Sequence, residues 1–463
     1  MSASIATGPG PSPAAAEPEL APGGRVEAAL GRIDPVWVSV ALFVAALVVY
    51  VGSNPARPDF YDHFVWQADA FLQGRSEIAY PVTEGPYQNG HFQDVLPTGP
   101  GRGQIPFPPL PAIVLLPFVA VFGLGTNGAA VAAVLGAVNV VLCWLMLLGV
   151  TPRRSAALLG TIFYGFGTVA WYAAMLGTTW FLAHVVASTF LFIAIALAVR
   201  ADRVALVAHT EQGRHAIGRQ FAAGLAFGTA ALARLTTLLG APFFVFVGGG
   251  GSWLRRAVSA GVGAVIPVLF LVLYNVATTG HVFHPAYEYL YQNEYRPRPE
   301  LVNPDWGIED VRYIPQNAGI MFLSMPERPL LDDDTCALGS IGPDRLFDRE
   351  CAPLRPDPLG LSILLTSPAY LLMIPALLRL GRRRIVAGAA LAVLAIAIVD
   401  LMHFSQGWVQ FGDRFSNDFA PFAMILVALG ISRIGTGAIS LALVAASVLI
   451  NAWGVTWGVT LGW

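Results

Sequence analysis

The sequence alternates between long apolar segments and shorter polar stretches along most of its length. A helix that crosses about 30 Å of hydrocarbon needs about 20 apolar residues, and about eleven segments, two of them short, approach that length. They lie at residues 36–52, 126–150, 155–175, 179–199, 221–234, 236–250, 257–277, 361–380, 385–403, 417–434 and 436–457. The pattern predicts an all-α integral membrane protein, a multi-span bundle of about eleven transmembrane helices.

One further apolar segment, PFPPLPAIVLLPFVAVFG at residues 106–123, does not fit a simple crossing. Prolines crowd its start and disfavour a regular first turn of helix. Counting it as a span would also place Arg153 and Arg154 on the outer side. We therefore expect a re-entrant or interfacial segment there.

The arginines give the predicted orientation, since short loops that carry them stay in the cytoplasm. With the spans above, the arginine clusters share one side: Arg25, Arg32, Arg153, Arg154, Arg200, Arg203, Arg214, Arg219, Arg255, Arg256 and Arg382 to Arg384. The opposite side receives two large loops, 53–107 and 278–360, which hold most of the carboxylates. We expect a multi-pass protein of the plasma membrane with a cytoplasmic N-terminus and its chemistry on the outer face.

The composition agrees with a membrane protein and argues against a nucleic-acid-binding protein. The 463 residues are 55% hydrophobic and 12% charged, whereas soluble domains carry about 25% charged residues. A net charge of -2 lacks the positive excess that nucleic-acid binding needs. Residues 1–33 are rich in Ala, Pro and Gly near their start and are expected to form a disordered cytoplasmic tail, which leaves 34–463 as the transmembrane domain.

The three cysteines and the histidines give few candidates for special chemistry. Cys143 lies within a predicted span, where it reads as a small core residue. Cys336 and Cys351 share the second outer loop, and whether they pair is open. The acidic run at Asp332 to Asp334 has no spaced calcium-ligand pattern and reads as a solvated loop. The histidines lack the spacing of a catalytic zinc site.

Residues 61–73 in the first outer loop predict an amphipathic helix at the membrane surface. An apolar row recurs at helical spacing beside a polar row: Tyr61, Val65, Ala68 and Leu72, then Asp62, Trp66, Asp69 and Gln73. Asp59 would cap the helix. One interpretation of these aspartates is structural: Asp62 and Asp69 lie on a solvated helix face and Asp59 caps the helix. Asp62, however, follows Phe60 and Tyr61, so partly apolar surroundings would raise its pKa towards that of a general base.

Several stretches, in order, resemble the GT-C superfamily of membrane glycosyltransferases, which includes protein mannosyltransferases, aminoarabinose transferases and arabinofuranosyltransferases. They are an acidic residue after the first span, a helix ending in Ala70, Leu72 and Gly74, FPPLPA at 107–112 before Phe122 and Gly123, ARLTT at 233–237, LYNVATTGHVFHPAY at 273–287 and GWVQFGDRF at 407–415. Together they cover about a third of the chain. The resemblance implies a GT-C-like domain with outer juxtamembrane helices in the first loop.

The resemblance also implies an activity. The protein would be an inverting glycosyltransferase that moves a sugar from a polyprenyl-phosphate donor to a glycan, lipid or protein of the cell envelope, as in bacterial members. Asp62 would be the catalytic base, with Asp59 as the second choice. Many members carry two adjacent acids here, whereas this chain has Asp62 followed by His63, which leaves the base and any divalent cation open.

Two arginines in or beside spans are candidates for the leaving phosphate, because the guanidinium fork matches phosphate oxygens. Arg234 either binds phosphate or extends to the interface, and Arg414 either binds phosphate or pairs with Asp413. The other candidate substrate contacts are His63, Asp69, Trp408 and Tyr287. Asp400 and His403 form either a buried polar pair or part of a cavity wall.

Two rival functions remain. A transporter or flippase of a lipid-linked saccharide would carry internal repeats and matched broken helices, and no convincing repeat is present. A non-catalytic membrane scaffold is compatible with the sequence. The sugar, the acceptor and the oligomeric state do not follow from these patterns.

Overall fold

The computed structural model describes residues 25–56, 61–79, 94–207, 212–292, 305–332, 336, 345–407 and 409–462. The helices are α1 (Arg25–Arg32), α2 (Pro35–Ser53), α3 (His63–Leu72), α4 (Leu110–Phe122), α5 (Gly128–Val150), α6 (Arg154–Gly167), α7 (Ala170–Leu176), α8 (Thr179–Val207), α9 (Gln212–Ala231), α10 (Pro242–Phe246), α11 (Trp253–Thr279), α12 (Ala286–Leu290), α13 (Ile314–Leu323), α14 (Pro329–Asp332), α15 (Ile363–Thr366), α16 (Ile374–Leu377), α17 (Arg384–Met402), α18 (Ser416–Ile434) and α19 (Ala438–Leu461). Short 3₁₀ helices lie at Gly123–Gly125, Leu235–Gly240, Val311–Tyr313 and Pro368–Met373.

The protein is a helical membrane protein with several spans. Within the described chain, 7 helices are long and apolar enough to cross a bilayer: α2, α5, α8, α11, α17, α18 and α19. Helices α6 and α7 form one further span if their 50° bend is counted as a break within a single crossing. The expected count of about eleven is therefore not established.

The difference from the expected count comes from three segments. Helix α9 begins with the polar sequence QGRHAIGRQ, which lowers its hydropathy. The segment Leu235–Phe246 is a 3₁₀ helix followed by the short helix α10. The segment 361–380 is divided into α15, a 3₁₀ helix and α16, with Pro368 and Pro375 at the starts of the last two. Proline lacks an N–H and clashes with the preceding turn, so it begins helices more readily than it continues them.

The segment expected to be re-entrant contains α4, which has 13 residues and an internal Pro117. At about 1.5 Å per residue it is roughly 20 Å long, shorter than the hydrocarbon core. The Leu110 N–H donates to the carbonyl of Leu232 at 2.9 Å. Five residues separate α4 from Gly128, which begins α5 beside Asp62 and Gly177.

One end of the bundle carries the predicted cytoplasmic arginines, and we call it the arginine end. Arg384 pairs with Asp202 at 3.4 Å, and the guanidinium of Arg154 donates to the carbonyl of Leu30 at 2.8 Å. The carboxylate of Glu27 in α1 accepts from the N–H groups of Arg154 and Ser155 at the start of α6. Residues 25–32 are thus helical and not disordered as expected, because α1 caps free amides of α6. The predicted tail at 1–24 lies outside the described residues.

The opposite end, which we call the loop end, carries the predicted outer loops. Strands β1 (Ile78–Ala79), β2 (Leu96–Gly99) and β3 (Arg102–Gln104) form an antiparallel sheet in the order β1-β3-β2. Cys336 and Cys351 form a disulfide, which resolves the question left open by the sequence. Cys143 is a free, buried core residue, as predicted.

Helix α3 does not lie open at the surface as the pattern predicted. His63 to Ala68 and Ala70 are buried, and Leu72 is the helix's exposed large apolar residue. Phe64, Val65 and Ala68 pack in one core cluster with α4 and α8, while Trp66 and Ala70 pack in another that includes β1 and β3. The first half of the helix is covered on both rows because elements distant in sequence pack over it, whereas Leu72 and Gln73 at its end are exposed.

Candidate functional site

The two arginines selected from the sequence lie against the same aromatic ring at the loop end. The guanidinium carbon of Arg234 is 5.3 Å from the centre of the Phe415 ring, and that of Arg414 is 5.5 Å from it. Arg234 follows α9, whereas Arg414 precedes α18. Two positive charges from segments far apart in sequence are thereby concentrated in one place, which we call the arginine pair.

Arg234 is held in a fixed orientation by Asp418. Its Nε and Nη2 atoms donate to Oδ2 of Asp418 at 3.1 and 2.8 Å. The side chain of Asp418 is 0% exposed, and that of Arg234 is 18% exposed. Such a two-point contact fixes the plane of the guanidinium as well as its position. Within the described residues, Nη1 of Arg234 donates no hydrogen bond, so this nitrogen remains able to contact an anion.

Two more side chains converge on Asp418 and complete a buried network. The hydroxyl of Thr236 donates to its Oδ2 at 2.5 Å, and Nδ1 of His184 lies 2.7 Å from its Oδ1. His184 comes from α8, near its start, and is fully buried. A buried carboxylate is costly unless it is paired and hydrogen-bonded, and here three side chains meet that requirement.

Arg414 lies among aromatic rings. Its guanidinium carbon is 5.6 Å from the Trp180 ring and 5.9 Å from the Phe181 ring. Gly407 supports this placement from behind, since it has φ +98° and a Cβ there would be 2.9 Å from the guanidinium carbon. A cation over aromatic faces is attracted by the ring quadrupoles. The neighbouring Asp413 carboxylate accepts from the Phe415 N–H at 2.9 Å and also interacts electrostatically with Arg414.

Trp180 links the arginine pair to the first outer loop. Its indole Nε1 donates to Oδ2 of Asp94 at 2.9 Å, and its ring is 5.1 Å from the ring of Tyr61. Burial raises the pKa of Asp94 to about 6, while the hydrogen bond from Trp180 and the charge of Arg414 act to lower it. The Asp94 carboxylate is therefore half protonated at a mildly acidic pH.

Tyr287, a candidate substrate contact, lies within electrostatic range of Arg234, Arg414 and Asp94. Burial raises its pKa to about 12, against the lowering effect of Arg234 and Arg414, and the charge of Asp94 also acts on it. The phenol therefore stays neutral at physiological pH and is able to donate a hydrogen bond.

Asp62 occupies a different setting from the one expected. The residue is 7% exposed, and its Oδ1 lies close to Gly128 at the start of α5. It stands at the N-cap position of α3 but accepts no capping hydrogen bond there. A carboxylate beside a helix N-terminus is favoured by the helix dipole. The role of Asp62 as the base stays a prediction.

His63 is completely buried and joins the first loop to α8. Its Nδ1 lies 2.8 Å from the hydroxyl of Thr179, and that hydroxyl also donates to the carbonyl of Tyr61. The ring packs against Trp66, Phe107 and Trp180. His63 therefore packs among the rings of Trp66, Phe107 and Trp180 and is not open to solvent.

Three other candidates have no described contact with the arginine pair. Asp69 is partly exposed and accepts from Gln73 at 2.7 Å, one helical turn away. Asp59 and Trp408 lie outside the described residues. These positions remain candidates from the sequence alone.

The polar pair at the end of α17 divides into two separate groups. His403 bonds to Glu309 of the second outer loop at 2.7 Å. Asp400 is 1% exposed, and neither of its carboxylate oxygens accepts a hydrogen bond from a described residue. Asp400 is thus part of the buried acidic surroundings of Arg234 and Asp418.

Sequence reasoning did not select Asp94, Asp418, His184 or Thr236. A signal was available for two of them, because an ionisable residue inside a predicted span is a functional candidate by default, and Asp418 and His184 both meet that description. Asp94 gave no comparable signal within its loop.

The divalent cation left open by the resemblance stays an open question. No group of three or more His, Cys, Asp or Glu side chains in the described ranges is placed to hold a metal ion. We derive no step through a metal.

Comparisons with known proteins leave the family open. No protein-family model matches the chain, and no curated protein does either. Among solved structures, the chain is similar to the apo form of the oligosaccharyltransferase of Archaeoglobus fulgidus, with 12% sequence identity and a TM-score of 0.46. The match covers 90% of this chain and 56% of that one, so the chain spans about half of its length. A likeness of this size does not by itself assign a family.

Proposed function

We propose that this protein is an inverting glycosyltransferase that transfers a sugar from a polyprenyl-phosphate donor to an acceptor in the cell envelope. The observation that carries the proposal is the arginine pair, with Arg234 and Arg414 on one ring at the loop end of a membrane bundle. Charged groups at that depth are costly and are retained mainly where they have a function.

The arginine pair suits the leaving group of such a reaction. When the bond between the sugar carbon and the phosphate oxygen breaks, negative charge develops on the phosphate. Guanidinium groups stabilise that charge through directed hydrogen bonds, and Arg234 is oriented for this in advance by Asp418. A guanidinium that is already oriented needs little rearrangement as the charge forms, so it stabilises the transition state more than the ground state.

The position of the pair favours a lipid-linked donor. Arg414 directly precedes α18, a membrane span, and Arg234 follows α9. A phosphate bound there would lie at the boundary of the hydrocarbon, where a polyprenyl chain remains in the bilayer. We place the site on the outer face of the plasma membrane because the opposite end carries the arginine-rich loops. The acceptor would be a glycan, lipid or protein on that face.

Binding of undecaprenyl phosphate to the purified full-length protein in nanodiscs tests the donor assignment. We expect Arg234→Lys and Arg414→Ala each to weaken binding about 10-fold, which corresponds to about 1.4 kcal/mol. Arg312→Ala is the matched control, since Arg312 lies at the loop end but pairs with Asp310 and stacks on Trp306. Equal binding by all variants, or none by the wild type, would refute the assignment.

A second assay separates transfer from transport. Membranes from source cells lacking the gene are supplied with the protein and a radiolabelled polyprenyl-phosphate sugar. A transferase places the label in a new glycosidic bond, whereas a flippase moves the labelled donor intact across the bilayer. A scaffold does neither. Either the flippase result or the scaffold result would overturn the proposed reaction.

A further inference from the structure

The proposed reaction needs a base for the acceptor hydroxyl, and the described carboxylates of the first outer loop can be compared directly. Asp62 is buried beside the start of α5, and Asp69 bonds to Gln73. Glu77 pairs with Arg102 at 3.4 Å. Asp94 differs from these three because it contacts Trp180, whose ring also lies against Arg414.

The two carboxylate oxygens of Asp94 differ in their contacts. Oδ2 accepts from Trp180, whereas Oδ1 accepts no hydrogen bond from any described residue. The residue is partly exposed and has φ +64°, a left-handed conformation that few residues other than glycine adopt. Such conformations persist where the surroundings impose them and are common at functional sites.

We propose that Asp94 is the general base of the transfer reaction, acting through Oδ1 on the acceptor hydroxyl. This inference rests on the proposed function. The acceptor O–H bond breaks and its proton passes to Oδ1, while the acceptor oxygen forms a bond to the anomeric carbon of the sugar. The bond from that carbon to the phosphate oxygen breaks, and its electron pair leaves with the polyprenyl phosphate, whose added charge the arginine pair stabilises. The products are the glycosylated acceptor, the free polyprenyl phosphate and the protonated Asp94 carboxyl group.

The ionisation of Asp94 suits this role. A pKa raised to about 6 leaves the carboxylate mainly ionised at neutral pH but more basic than an ordinary aspartate. Arg414 and Tyr287 are the charged and titratable groups whose effects reach it. Tyr61 and His63 face it less directly, through the shared ring of Trp180.

Asp94→Asn tests the assignment when undecaprenyl phosphate binding and sugar transfer are measured on the same preparation. We expect binding within about two-fold of the wild type and transfer reduced about 100-fold or more, the usual contribution of a general base. Asp94→Glu should restore part of the transfer. Glu77→Gln, at an exposed ion pair of the same loop, is the control and should transfer normally.

The outcomes distinguish this inference from the proposed function. If the wild type binds no undecaprenyl phosphate, the proposed function fails and this assignment falls with it. If the wild type binds and transfers while Asp94→Asn keeps nearly full transfer, only the assignment is overturned. Loss of binding together with transfer in Asp94→Asn would also overturn it, because Asp94 would then act by placing Arg414. Full loss in Asp62→Asn with normal transfer in Asp94→Asn would return the role to Asp62.

Discussion

Arg234 and Asp418, 184 residues apart in the sequence, form a two-point ion pair in which the carboxylate is completely buried and the arginine side chain is partly exposed. The Thr236 hydroxyl donates a hydrogen bond to the same carboxylate, and Nδ1 of His184 lies within hydrogen-bond distance of it. The pair joins the end of α9 to the start of α18. It therefore contributes to the bundle and orients a functional group at once.

Replacing Asp418 with Asn should destabilise the protein strongly. Removing one partner of a buried ion pair leaves the other charge uncompensated, at a cost of about 3–5 kcal/mol. Thermal unfolding in detergent measures the loss. Asp310→Asn is the matched control: its partner Arg312 is 55% exposed, and water screens an exposed pair so that it contributes little to stability. Equal effects of the two substitutions would contradict the view that Asp418 is a buried centre of the network.

Replacing Gly407 with Ala should weaken binding of undecaprenyl phosphate several-fold. The new methyl group would collide with the Arg414 guanidinium, the movable end of a flexible side chain, and displace it. Gly435→Ala separates this effect from backbone strain, because Gly435 also has a positive φ, +87°, but has open space around its Cβ position. Both variants should lose about 1 kcal/mol of stability, and only Gly407→Ala should lose affinity. Matching affinities would refute the contact.

Replacing Trp180 with Phe should move the acid limb of the pH–rate profile to higher pH. The indole N–H stabilises the ionised form of Asp94, so its removal raises the pKa of Asp94 above about 6. A hydrogen bond to a charged group corresponds to a shift of about one unit. Activity would then be lost at a higher pH as the solution is acidified. Trp171→Phe, which removes a hydrogen bond to Ser53 instead, should leave the limb in place.

Replacing Tyr287 with Phe should lower the affinity for undecaprenyl phosphate a few-fold and leave the pH–rate profile unchanged up to about pH 10. The pKa of Tyr287 is raised to about 12, so its hydroxyl remains protonated throughout that range. Binding isotherms and initial rates at several pH values provide the check. An alkaline limb near pH 10 that disappears in the variant would show that this phenol titrates normally.

Part of the site could be predicted from the sequence for a simple reason. An arginine in or beside an apolar span is costly wherever the chain folds, so Arg234 and Arg414 were identifiable before their partners were known. Tyr287 likewise lies within electrostatic range of both arginines. Asp94 could not be selected in this way, because its role depends on Trp180, a residue that contacts it only in the folded chain.

The same division holds for the fold. Apolar length determined the membrane class and the long spans such as α5 and α11, because the hydrocarbon thickness sets helix length independently of neighbours. The periodicity of residues 61–73 predicted a helix but left open whether its polar row faces water or a space between the spans. Only tertiary packing decided that Asp62 would be buried beside α5 while Asp94 contacts Trp180, since exposure and proximity depend on which distant segments close over a helix.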